Sequence, residues 1–409
     1  MPPPNRALDV FSALRLAGNL SRSDLEDDTF LFSYQHEAEA ADAVSLTMPV
    51  VVDQYDSMGI VHPIFEMNLP EGALLEHLRL SFAKTVPDLD SLGLLAIVGR
   101  SQIGRLRYAA PGTVPVAVPA QSLKDILTYK GAEDLFQDLL ERYAVYSGVS
   151  GLQPKVLLRD VDAPITRVTD RGATHIVKSF NPREYPELAA NEFFCMRAAQ
   201  AAGIATAEVH LSRNRHILAV ERFDRTPLGT YLGCEDFCVL NALRAHGRYD
   251  GSYELIAKRI GQFVTPEAQS QALEQLFATV ALCCAIENGD AHLKNFAVLY
   301  DDASSPVRLA PAYDLVSTTV YRARDVMALE LGGSKAFPER GRLVAFGRQA
   351  CALSAARVSS VLQRVEQGAS AAQAQIRKYA KQHPAFSDAG KRLNAAIERG
   401  LMRSIRRSS

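Results

Sequence analysis

The segment Glu287-Asn288-Gly289-Asp290-Ala291-His292-Leu293-Lys294-Asn295-Phe296 sets an acid, an imidazole, an ammonium and an amide side by side directly after an apolar run. Packing alone rarely requires that density of polar groups, because such residues are mostly left in water. Asp290 and Asn295 are five positions apart, and Asp314, in Pro311-Ala312-Tyr313-Asp314-Leu315, follows Asp290 by 24 residues. A carboxylate at 290 can take the proton of an attacking hydroxyl. The Asn295 amide oxygen and the Asp314 carboxylate are hard oxygen donors of the kind that hold magnesium together with substrate phosphates. With ATP, these three residues make a chemically complete phosphoryl-transfer site. Taken alone, Asp314 reads as an ordinary turn acid; its joint spacing with Asp290 and Asn295 favours the metal ligand.

These side chains need elements to carry them. Leu273, Leu276, Phe277, Val280 and Cys284 form one apolar helical face, which predicts a buried helix ending at Asn288-Gly289. Beyond the polar segment, Phe296 to Tyr300 and Val307 to Ala310 read as two short strands joined by the turn-forming run Asp301 to Pro306. Such a hairpin returns Asp314 to the side of Asn295. The Asp290 to Asn295 interval equals that between the catalytic acid and the metal-binding amide of the protein-kinase loop.

Phosphates need donors of their own. Ser147-Gly148-Val149-Ser150-Gly151-Leu152-Gln153-Pro154-Lys155 is a glycine-containing turn before a strand, whose bare amides can approach an anion closely, although two glycines near a strand are more commonly a hairpin. Lys178 ends the β-branched run Thr174 to Lys178, and Glu192 follows on the next helix, like the strand lysine and helix glutamate of kinases. Leu218 to Arg225 is an apolar strand running into charge. As a connector it offers backbone groups to an adenine edge, with Phe223 or nearby apolar side chains flanking the ring; the bland reading is a linker with exposed salt bridges.

The rest of the chain bounds the answer. Its 409 residues carry 45 Lys plus Arg against 46 Asp plus Glu, with 47% hydrophobic residues, the balance of a soluble globular protein of two to three packed units. Near-neutral charge gives no whole-chain attraction to nucleic acid or membrane. The longest apolar run, Leu276 to Ile286, falls short of the roughly 20 residues of a bilayer span, and MPPPNRALDV lacks a signal pattern. A cytoplasmic protein without a membrane partner is expected. Cys234 and Cys238 sit one helical turn apart, a spacing more often packing than metal chelation. Three segments are expected: 1–110, with β-type runs at Ser45 to Asp53 and Leu94 to Val98; 111–225, with a strand at Val114 to Pro119, helices over Gln121 to Arg142 and a small sheet carrying one helix; and a helical segment 226–409. The basic tail Lys391 to Arg407 suits DNA phosphate but more commonly marks a solvated helix end.

Together, the G-x-Q-x-K turn at Gly151 to Lys155, the T-H-I-x-K strand, the N-E-F-x-C helix at Asn191 to Cys195, V-E-R-F-D-R, D-x-H-x-K-N and the Tyr313-Asp314 pair resemble the HipA family of bacterial serine/threonine-protein kinase toxins. The resemblance spans nearly the whole chain, since Val61 to Gly72 and Leu94 to Arg100 resemble the family's N-terminal subdomain. It implies an α+β, two-lobed protein-kinase-like fold related to phosphoinositide kinases, with an extra β-rich N-terminal subdomain over 1–110, a kinase N-lobe over 111–225 and a C-lobe over 226–409. It also implies ATP, Mg2+ and a protein hydroxyl as reactants. Asp290 would be the base, Asn295 and Asp314 the metal ligands, Lys178 a phosphate contact, and Ser150, Gly151, Leu152, Gln153, Pro154 and Lys155 the phosphate loop. Glu221, Arg222 and Phe223 would hold adenine, and His292, Leu293, Lys294 and Tyr313 would line the nucleotide. Implied partners are an aminoacyl-tRNA synthetase such as the glutamyl enzyme as substrate, a helix-turn-helix antitoxin of HipB type, and operator DNA reached through that antitoxin; phosphorylation of the target would cause growth arrest and persistence. Where relatives often carry a regulatory serine this chain has Gly148, so Ser150 is the expected self-phosphorylation site, with Ser147 as the other nearby hydroxyl. A small-molecule phosphotransferase and a non-catalytic co-repressor are the competing readings.

Overall fold

A computed structural model of the chain describes residues 7–23, 28–51, 54–82, 89–114, 118–129, 135–151, 153–160, 173–180, 183–226 and 228–407. The backbone divides into two compact units. Unit 1 comprises 1–179, 212–245 and 299–306; unit 2 comprises 180–211, 246–298 and 307–409.

Unit 1 contains two sheets on one apolar core. The first is antiparallel, in the spatial order Gln54–Met58, Thr29–Tyr34, Arg15–Arg22, Ala7–Ser12, Leu106–Ala109. Leu8, Val10, Phe30, Phe32 and Tyr108 are buried there. In the second sheet Lys155–Asp160 and Ile217–Glu221 flank His175–Ser179 antiparallel, and Ala120–Gln121 pairs in parallel with the outer edge of Lys155–Asp160. Its register places Lys155 directly opposite Lys178, so both side chains leave the same face.

Two expectations for this region are corrected, and a third falls partly outside the described residues. Leu94 to Val98 is not a strand but the end of the helix Ser91–Val98, because Asp90 caps it by accepting from the Gly93 amide at 2.8 Å. A short apolar run cannot by itself distinguish the two states. Ser45 to Asp53 forms no strand over its described residues; it follows a short 3-10 helix, Ala40–Asp42, and makes only the isolated bridge of Ser45 with Met48. Of Val114 to Pro119, residues 115–117 lie outside the described residues, and the two-residue strand that follows is Ala120–Gln121.

Unit 2 is built around the helix Pro266–Ala285, buried continuously from Leu276 to its end. Pro266 starts it at a position where the missing amide proton costs nothing. Tyr253–Phe263, Ala355–Gln382 and Ser387–Gly400 pack around it, and Leu188–Ala201 lies along Ala355–Gln382. An apolar run of this length is thereby accounted for as a core helix, and no described helix is long and apolar enough to cross a membrane.

Part of the basic tail is tied down by ion pairs. Arg392 pairs with Asp388, Arg399 and Arg403 with Glu287, and Arg406 with Glu366 and Glu398. These cations serve unit 2 internally.

Candidate active site

The expected catalytic segment lies wholly in unit 2, where the central helix stops at Ala285 and Glu287 turns into the left-handed region at φ 52°. Glu287 is 2% exposed, and its carboxylate accepts from Thr319 Oγ1 at 2.7 Å and Arg399 at 2.8 Å, with Arg403 at 3.0 Å. Its carbonyl accepts from the Thr318 amide, and Thr318 Oγ1 in turn accepts from the Gly289 amide at 2.8 Å. A Cβ on Gly289 would lie 2.4 Å from Asp325 Oδ2 and 2.5 Å from the Val326 carbonyl, so only glycine fits this close approach. Buried Tyr253 adds a hydroxyl to the Ala291 carbonyl at 2.9 Å. Glu287, Gly289 and Ala291 are therefore each fixed by a partner distant in sequence.

Asp290 emerges from this support with its amide bonded to Asn288 Oδ1 and its Oδ1 accepting from Tyr249 at 2.9 Å. Burial pushes its carboxyl above the usual range; the Asp314 and Asp325 carboxylates push the same way, and the Tyr249 hydroxyl and Arg248 oppose them. Asp314 also acts on His292, whose pKa burial lowers to about 4, with Arg248 and Lys294 adding to the fall. His292 is thus a neutral imidazole near pH 7; its ring meets Tyr249 edge-on at 5.1 Å between centroids.

Asp314 has φ 60°, the left-handed region that, besides glycine, asparagine and aspartate enter most readily. The Tyr313 hydroxyl bonds the Lys294 carbonyl at 2.7 Å, tying the Asp314 segment to the polar loop. On the other side Asn191 makes reciprocal bonds with the Ser317 backbone at 2.9 and 3.0 Å. The hairpin of Ala297–Tyr300 with Arg308–Leu309 precedes this segment. Among the described residues Asn295 Oδ1 has no hydrogen-bond partner though it is buried, and it lies on the loop that Tyr313 fixes. A buried, unpartnered amide acceptor with two mutually repelling carboxylates is a donor set that fits a divalent cation. Leu293 is fully buried, so its side chain supports the loop from beneath.

The other expected site residues lie in unit 1. Lys155 and Lys178 are buried side by side, 7% and 5% exposed, and Lys155 Nζ donates to the Ser150 carbonyl at 3.2 Å. Two ammonium groups on one strand face concentrate positive charge. Gly151 takes φ 123°, and Ser150, Gln153 and Pro154 complete the turn; Leu152 lies outside the described residues. In the connector, Glu221 is exposed and Phe223 half-buried. The Arg222 side chain is turned inward: it pairs with Asp224 at 2.6 Å, donates to the Gln102 carbonyl, and its amide bonds the Thr174 carbonyl. Burial and Asp224 commit that guanidinium to the interior, and the adenine reading of this connector concerns its backbone groups.

Tyr249, Tyr253, Glu287, Arg399 and Arg403 escaped the reading of the sequence. Only Glu287 carried a signal, as an acid at the end of an apolar helix.

Residues 147–373, more than half of the chain, match the model of the HipA-like C-terminal domain, and residues 8–109 match that of the HipA N-terminal domain. A kinase candidate of Sinorhizobium fredii, Y4dM, is 27% identical over 76% of this chain and 78% of its own length. The serine/threonine-protein kinase toxin HipA of Shewanella oneidensis is 25% identical over 75% of this chain and 74% of its own. Among solved structures, the Shewanella oneidensis toxin-antitoxin complex of HipA, HipB and operator DNA matches with TM-score 0.69 and 20% identity, covering 96% of this chain and 97% of that one. That likeness fixes the fold as the α+β, kinase-like fold of HipA. With both domain models matched in order, the chain belongs to the HipA-like family.

Proposed function

We propose that the chain is an ATP-dependent serine/threonine-protein kinase toxin. The observation that carries the reading is the grouping of Asp290, Asp314 and the unpartnered Asn295 Oδ1 on one braced loop system of unit 2. Asn295 and Asp314 would hold Mg2+, which when bound supplies charge neutralisation for phosphate oxygens. Asp290 accepts the proton of a serine or threonine hydroxyl as its oxygen bonds to the γ-phosphorus of ATP; the bond from that phosphorus to the β-γ bridging oxygen breaks and ADP leaves. Tyr249 holds the Asp290 carboxylate in one orientation, and neutral His292 adds no competing charge.

In unit 1, Lys155, Lys178 and the amides of Ser150 to Pro154 carry chemistry suited to the nucleotide phosphates, and the Glu221 to Phe223 backbone chemistry suited to adenine. Lys294 and His292 lie on the same loop as the metal donors and suit the nucleotide's anionic end. The relatives' names favour a protein hydroxyl as acceptor, for which an aminoacyl-tRNA synthetase is the proposed class, with growth arrest and persistence as the outcome. The composition of the complex of the Shewanella protein favours a HipB-type antitoxin, and operator DNA through it, as partners here, and a cytoplasmic setting follows from those partners.

Incubation of the full chain with γ-labelled ATP, Mg2+ and a bacterial lysate tests the reading. Label in protein, dependent on Asp290, supports it. Label confined to soluble metabolites favours a small-molecule phosphotransferase, and growth arrest by a chain that transfers no label favours a binding role.

A further inference from the structure

The turn Ser147 to Lys155 is held by a part of unit 1 that lies well before it in the chain. Ser150 Oγ donates to Glu71 Oε1 at 2.6 Å, across 79 residues of sequence. The Gly148 amide donates to the Ser101 carbonyl at 2.9 Å, and Gln102 forms an isolated parallel bridge with Gly148. A Cβ at 148 would lie 2.1 Å from Gln102 Nε2, so a side chain there would have to displace the Gln102 amide. Lys155 grips the Ser150 carbonyl from the other side. Ser150 is therefore clamped at its hydroxyl and at its carbonyl, and the hydroxyl clamp is an acid that opens the helix Gly72–Phe82.

We propose that Glu71 is a positioning residue of the phosphate loop: its carboxylate latches Ser150 and holds the loop in the conformation that presents its amides to an anion. The proposal rests on the reading of this turn as phosphate-binding. A hydroxyl donating to an ionised carboxylate is among the stronger neutral-to-charged hydrogen bonds, and it exists only while Ser150 keeps its proton. The segment matched as the HipA N-terminal domain, residues 8–109, thereby acts on the turn through Glu71 as well as through Ser101 and Gln102.

The test uses the full chain and its Glu71→Ala, Glu71→Gln, Ser150→Ala and doubly substituted variants. Hydrogen exchange at the amides of residues 148–151 is measured without nucleotide, together with kcat and the KM for ATP. Glu71→Ala and Ser150→Ala are each expected to speed exchange about tenfold, the double variant no further, and Glu71→Gln, which still offers an acceptor, less than threefold. The KM for ATP rises about fivefold in Glu71→Ala while kcat stays within twofold. Exchange within twofold of the native chain, or fully additive effects in the double variant, overturns the latch. Faster exchange with an unchanged KM upholds the latch and instead removes the phosphate-binding reading of the turn. Should Glu71→Ala fail to fold, Ser150→Ala carries the same exchange measurement with the loss of a single oxygen atom.

Discussion

The Tyr249 hydroxyl donates to Asp290 Oδ1 at 2.9 Å, joining a residue of a short 3-10 turn to an acid 41 positions away. Of the influences on the Asp290 carboxyl, this hydrogen bond is the foremost one that lowers its pKa, against burial and the two neighbouring carboxylates that raise it. A base works only when ionised, so the acid limb of the rate profile follows this group upward.

Replacing Tyr249 with Phe removes the lowering influence and keeps the ring beside His292. The acid limb of kcat/KM is expected to move to higher pH by about 0.5 to 1 unit, from a charge-assisted hydrogen bond discounted for partial exposure. A pH-rate profile of label transfer checks it; a shift to lower pH contradicts the assignment of Asp290 as base.

Asp314 sits on a left-handed backbone and bears the cost of its repulsion of Asp290. Asparagine tolerates that backbone and carries no charge. Asp314→Asn should therefore melt at the same temperature or about 2 °C higher while losing at least 100-fold in phosphoryl transfer. Calorimetry beside an activity assay reads both, and a destabilised variant with retained activity would make Asp314 structural.

Glu287 is nearly inaccessible, yet its two arginine partners are half-exposed or close to it. Glu287→Ala removes the acid that joins the central helix, the Thr318–Thr319 turn and the C-terminal helix. A loss of about 1 to 3 kcal/mol is expected, less than for a fully buried pair because water can reach the arginines. The rate should fall about tenfold with the KM for ATP unchanged, since the loop carrying Asp290 loosens. Denaturant titration and steady-state kinetics test the pair of effects.

What the sequence made legible was local. The face Leu276, Phe277, Val280 and Cys284 specified a buried helix, and that helix is the axis of unit 2. The hairpin before Asp314 was readable because its turn residues are contiguous. Leu94 to Val98 was misread as a strand because the residues that decide its state, the cap Asp90 and the following Gly99, flank the apolar run. The partners that fix the candidate site were not readable, since Glu287 with Arg399 and Ser150 with Glu71 are separated by 112 and 79 residues and no period links them. Arg222 looked like an exposed connector charge. Its ion pair with Asp224 is compatible with burial only because carbonyls of unit 1 take its remaining protons.

Transfer of label from γ-labelled ATP, measured for the native chain and Asp290→Asn alongside their Kd for ATP, bears most directly on the reading of Asp290 as base. The account predicts at least a 1000-fold fall in transfer with the Kd within threefold of native. An Asp290→Asn chain that keeps more than a tenth of the native rate would contradict it.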